Sequence, residues 1–345
     1  MTSPRNPAID LARWVAVFGV IVIHCAPTTC AAGYVVGFFL NFCVPFFLLA
    51  ALYFFWREAG EGEAGGPSVA LRRRLPRLLL PYAAWTLIYV VARGAKLVWQ
   101  GRSLSAEFGP ESITRIVGAG GGAVQLYFLP LLMLAFCLTW LLAPWVRRTP
   151  TWGLAGLLLP TSFVLTKAEG MVPAMPATAV GRLGALYADW VLCMLATVIW
   201  AAVVTRWAVK QRPRVAAGLA LLSAAGAINL LVVARLVPYA WRLHTLLIAT
   251  LAFGGCIHLA EIARRLPRWA VFAPSIPFGI FLSHHLFLEM IELVDARLDG
   301  RLTEPYSGGT IILVAVVVLV VSAGFTTLIA RWPGMARVLL GRQAQ

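Results

Sequence analysis

Charge is what this chain has least of: only 12% of its 345 residues are Asp, Glu, Lys or Arg, and 14 of them are acids. A soluble domain carries about twice that fraction, because charged side chains keep a surface in water. The scarcity excludes an ordinary soluble fold. Several motifs are also missing. The sequence has no G-x-x-x-x-G-K-[ST] phosphate loop, no G-x-S-x-G nucleophile turn and no H-E-x-x-H zinc helix, so it does not read as an ATP-driven pump or as the common hydrolases. The six cysteines (Cys25, Cys30, Cys43, Cys137, Cys193 and Cys256) form no C-x-x-C and no metal-ligand spacing. Most sit inside apolar runs and read as small core residues, with Cys30 in the turn after the first run. No metal is expected. No repeat or low-complexity tract divides the chain, and a single membrane domain over 1–345 is the expectation.

What is present is apolar. Hydrophobic residues make up 60% of the chain, with 13 Trp, many at the ends of apolar runs where indole rings anchor at headgroup depth. The formal charge of +15 would point to nucleic acid in a soluble protein. Here the basic residues crowd into short loops between apolar runs, so a lipid bilayer is the expected surrounding and no nucleic-acid partner is implied.

The pattern predicts an all-α, polytopic fold of about ten transmembrane helices, near 9–27, 34–56, 78–99, 123–145, 152–166, 183–207, 215–237, 241–262, 270–294 and 310–332. The fifth stretch is short, and a re-entrant or surface helix is its alternative. With the N-terminus inside, ten crossings put nineteen of the 29 basic residues and only five of the 14 acids on the cytoplasmic side. That asymmetry predicts both termini in the cytoplasm. The basic start and apolar run of the first stretch also resemble a signal peptide, but cleavage would discard its polar stripe, and the stretch is read as retained. Residues 57–70 read as a mobile Gly- and Glu-rich cytoplasmic loop.

That stripe is the first place to look for chemistry. Arg13 and His24 lie eleven residues apart, about 16 Å along a helix and nearly on one face, with Asp10 one turn before Arg13 and able to pair with it. Charged and titratable groups inside a membrane helix are costly, and they usually face a pocket or pathway rather than lipid. Interface anchoring is the alternative for Asp10 and Arg13, and a ring bonded to a backbone carbonyl is the alternative for His24. Farther on, Arg72, Arg73, Arg74 and Arg77 form a basic entry to the third stretch. The first two read as a topology signal, whereas Arg74 and Arg77, one turn apart, form a guanidinium pair suited to phosphates. His284 and His285 lie mid-way along the ninth stretch. Neighbours on a helix diverge by about 100°, so only one is expected to face the pocket that His24 faces. His285 can pair with Glu289 one turn on. His244 and His258 read as structural.

Taken together, NPAIDLARWVAVFGVIVIHCAP, RRRLPRLLLPYAAW, QLYFLPLL and PFGIFLSHHLF resemble, in order and spacing, the acyltransferase-3 family of integral-membrane O-acyltransferases. Tyr127 stands where tryptophan is common, Phe281 where tyrosine is, Gln125 where histidine is, and Ala50 and Ala51 where a Ser-Gly pair is frequent. The resemblance implies a bacterial inner-membrane enzyme that moves an acyl group, most often acetyl from acetyl-CoA, to a hydroxyl of a saccharide or lipid-linked glycan. It places catalytic roles on Asp10, Arg13, His24 and His284 and donor binding on Arg13, Arg74 and Arg77. His24 would act as general base or as transient acyl carrier. The rival from another class is a secondary transporter or flippase whose Arg and His residues line a pathway. The sequence does not give the oligomeric state.

Overall fold

A computed structural model describes residues 6–25, 40–60, 66–171, 178–237, 239–265, 275–297 and 308–342. Among the described residues the regular structure is entirely helical. The long helices are α1 (Pro7–Cys25), α2 (Cys43–Gly60), α3 (Gly66–Trp99), α6 (Phe128–Arg148), α9 (Ala179–Lys210), α10 (Val215–Val233), α11 (Trp241–Arg264), α12 (Ser275–Arg297) and α13 (Gly308–Ile329). Shorter ones are α4 (Leu104–Glu107), α5 (Pro110–Ala119), α7 (Thr151–Gly156), α8 (Leu158–Met171) and α14 (Pro333–Leu340).

Among the described residues, eight helices are long and apolar enough to cross a membrane: α1, α3, α6 with the 3-10 turn before it, and α9 to α13. Their exposed faces are apolar. On α3, Leu87, Val91 and Val98 are 65%, 62% and 63% exposed, a stripe that water would penalise and lipid does not. Trp99, Trp145, Trp152, Trp241 and Trp332 are exposed at or beside helix ends, as an interfacial belt requires. The chain is a multi-pass membrane protein.

Several sequence-based boundaries need correction. The fifth stretch is two helices, α7 and α8, divided at Leu157, and neither is among the eight. Of the expected loop over 57–70, residues 57–60 end α2, carried on by the helix formers Arg57, Glu58 and Ala59, and 66–70 begin α3, with Pro67 in its first turn; 61–65 lie outside the described residues. Helices α4 and α5 occupy a segment read only as a connection. Cys30 lies outside the described residues, and Cys25, Cys43, Cys137, Cys193 and Cys256 are free thiols.

The helices pack as two compact units, Met1–Glu58 with Trp200–Thr327, and Ala59–Ile199 with Leu328–Gln345. In the first, α1 packs on α11 and α12, and α10 on α11. The start of α1 is set by Asn6, whose Oδ1 accepts the N–H groups of Ala8 at 3.0 Å and Ile9 at 3.4 Å, with Pro7 following where a missing N–H costs nothing. Aromatic contacts fix α2 to its neighbours: Tyr53 meets Phe253 of α11 at 5.0 Å between centroids, and Phe47 meets Phe281 of α12 at 6.0 Å. In the second unit, α3 packs on α6 and on α14.

Candidate active site

The first unit gathers three histidines. The His24 ring, near the C-terminal end of α1, lies 5.4 Å from His284 and 5.8 Å from His285 between centroids, and the latter two are 6.4 Å apart. Both members of the adjacent pair therefore reach His24, and the expectation that only one would is corrected. Rings 100° apart on α12 can flank a single ring on a helix packed against it, because an imidazole reaches well beyond its own Cα.

His284 is fully buried, and its orientation is defined. Its Nδ1 lies 2.7 Å from the Phe281 carbonyl and 3.2 Å from that of Ile280. A carbonyl only accepts, so Nδ1 carries the proton and donates. A neutral imidazole has one N–H, so Nε2 is left with a lone pair. That atom is buried without a hydrogen-bond partner among the described residues. An orphaned buried acceptor costs stability, and such atoms are concentrated where a substrate or a proton completes them. The carbonyl-bonded ring considered for His24 is thus found at His284; no described residue hydrogen-bonds to His24. His285 Nε2 lies 3.5 Å from Glu289 Oε1, the pairing that one-turn spacing allows.

Toward the start of α1, Arg13 donates from Nη1 to Asp10 Oδ1 at 3.2 Å. Asp10 is buried, while the Arg13 guanidinium stands 5.2 Å from the centroid of Phe54 on α2. Ion pair and ring together hold a cation at a partly buried site. Asp10 thus meets Arg13 one turn along the helix, as the spacing allows.

The arginines at the entry to α3 belong to the second unit. On α3, Arg72 and Arg73 are exposed, whereas Arg74 and Arg77 are half-buried, with the Arg74 guanidinium 5.5 Å from the Phe136 ring of α6. Nearby in sequence, Tyr82 donates to the Val117 carbonyl at 2.7 Å and accepts the Gly120 N–H at 3.0 Å, tying α3 to the end of α5. Gln125 Nε2 donates to Tyr89 Oη at 2.7 Å, and both side chains are buried.

Polar pairs between helices escaped the sequence reading, among them the buried Gln125–Tyr89 and His244–Asn229. The latter joins α11 to α10 at 2.8 Å between His244 Nε2 and Asn229 Oδ1. Each links different helices, so no helical spacing announces it. Among the described residues, no group of three His, Cys, Asp or Glu side chains is arranged to hold a metal.

Titratable groups placed inside a multi-pass helical protein, here three imidazoles with His284 fully buried, are the kind of feature that marks a functional site. A family model described as an acyltransferase domain, acyltransferase-3, matches residues 6–331, and the chain belongs to that family. It is a membrane acyltransferase. No curated protein and no solved structure matches it.

Proposed function

We propose that the protein transfers an acetyl group from acetyl-CoA to a hydroxyl of a saccharide or lipid-linked glycan at a bacterial inner membrane, with ten crossings and both termini cytoplasmic. The observation that carries the proposal is the convergence of His24 with His284, whose Nε2 lone pair is buried and unmet.

Arg13 in the first unit and the Arg74–Arg77 pair in the second each carry forked N–H groups that suit the donor's phosphate oxygens. His24 takes the proton of the acceptor hydroxyl as the oxygen attacks the thioester carbonyl. The C–S bond breaks, the ester bond forms, and the proton passes from imidazolium to the departing thiolate, releasing CoA as the free thiol. A two-step route balances as well: the His24 nitrogen attacks the thioester, the C–S bond breaks and CoA leaves as the thiol with the imidazolium proton; the acceptor hydroxyl then attacks the acyl carbon, the C–N bond breaks, and the hydroxyl proton returns the imidazole to its neutral form. In either route, facing nitrogens on rings 5.4 Å apart come within about one hydrogen-bond length when the rings turn toward each other. His284 Nε2 is then the acceptor for a His24 N–H, steadying the ring and its growing charge.

Purified protein in lipid nanodiscs, supplied with acetyl-CoA and candidate glycans, should release free CoA thiol only when an acceptor is present, in equal amounts with acetylated glycan. Thiol release that no hydroxyl-bearing glycan or glycolipid stimulates contradicts the proposal.

A further inference from the structure

The turn of α3 that bears Arg74 and Arg77 is weakly held by its own helix. Pro76 and Pro81 both lie inside α3, and a proline has no N–H to return to the carbonyl four residues back. Pro81 therefore cannot donate to the Arg77 carbonyl. A turn deprived in this way is soft, whereas a guanidinium pair that must match phosphate oxygens has to be held in place.

The structure supplies the missing support from the far end of the chain. Helix α14 packs on α3 and buries Ala336, Leu339 and Leu340. Its last carbonyls have no partner within so short a helix, and the fully buried Trp85 donates its indole N–H to one of them, Leu339 O, at 3.0 Å. Directly after α14, Gly341 takes the left-handed conformation, φ 63°, and donates to Ala336 O to close the helix. Its missing side chain matters twice. A Cβ there would be strained at that φ, and it would also overlap the Arg77 carbonyl oxygen, which lies against Gly341. The backbone at Arg77, four residues before Pro81, is thus covered by the end of α14. This helix lies beyond residues 6–331, where the family likeness ends.

We infer that α14 is a clamp on the arginine turn: Trp85 and Gly341 act as positioning residues that hold Arg77, and with it Arg74, in the geometry that binds the donor's phosphates. The inference rests on the donor-binding role proposed for those arginines.

The test uses the full chain in nanodiscs, with coenzyme A as the probe, and compares Gly341→Ala, Trp85→Phe and Arg77→Ala. Gly341→Ala should weaken coenzyme A binding by about tenfold, and Trp85→Phe by a smaller factor. Both should raise the KM for acetyl-CoA while leaving the KM for acceptor unchanged. Arg77→Ala separates the two ideas. If it weakens coenzyme A binding while the other two do not, the clamp is wrong and the donor site stands; if it leaves binding unchanged, the donor reading falls and the clamp with it. Equal losses for donor and acceptor would reveal general loosening and also overturn the clamp. Should Gly341→Ala not fold, Trp85→Phe, which keeps an aromatic ring and loses only the N–H, decides alone.

Discussion

At His284 the ring is fixed from one side and empty on the other, because Nδ1–H is committed to the Phe281 carbonyl and Nε2 meets no partner among the described residues. If that lone pair serves the reaction, His284→Asn, which keeps a polar side chain but loses the imidazole acceptor, should lower transfer by roughly a hundredfold with coenzyme A binding retained. Activity within a few-fold of the parent would make His284 a packing residue. What was legible at this scale was local. The Asp10–Arg13 and His285–Glu289 contacts follow from one-turn spacing, and the burial difference between Arg72–Arg73 and Arg74–Arg77 runs along the face that the spacing picks out. The meeting of His24 with both His284 and His285 was not legible, because it depends on how α1 packs on α12, and no periodicity records a contact between such distant segments.

Among the elements, α10 and α11 approach closely, with glycines on both helices. A Cβ on Gly255 would come within 2.9 Å of Leu222, and one on Gly218 within 2.8 Å of Leu259 and 3.2 Å of the Gly255 carbonyl. Without a hydrophobic force between helices in lipid, such small-residue approaches carry much of the packing. Gly255→Ala should therefore lower stability by about 1–3 kcal/mol, the usual cost of overpacking, read as a lower thermal unfolding midpoint; an unchanged midpoint would show that α10 and α11 shift apart freely. Long apolar runs made most helix positions readable. Helix ends and breaks were less so: the division at Leu157 lies among leucines, between Gly156 and Pro160, where hydropathy alone does not change, and α4 and α5 are too polar or short for hydropathy to reveal.

For the whole molecule, the family match sets aside the transporter reading, while eight long helices among the described residues leave the ten-crossing arrangement resting on the distribution of basic residues. Reporters fused after Gly65 and after Gly309 should lie on opposite sides of the membrane, cytoplasmic and external respectively. Finding both on one side would remove the ten-crossing topology and the cytoplasmic donor site that depends on it. The central claim is that a histidine in the first helix carries acyl transfer, and it is tested most directly by His24→Asn in the purified protein, assayed with radiolabelled acetyl-CoA and glycan. Asparagine can hydrogen-bond but cannot act as base or acyl carrier at neutral pH. The account predicts that label reaching the glycan falls by roughly a hundredfold or more while coenzyme A binding is retained; an Asn variant that transfers label as the parent does would contradict it.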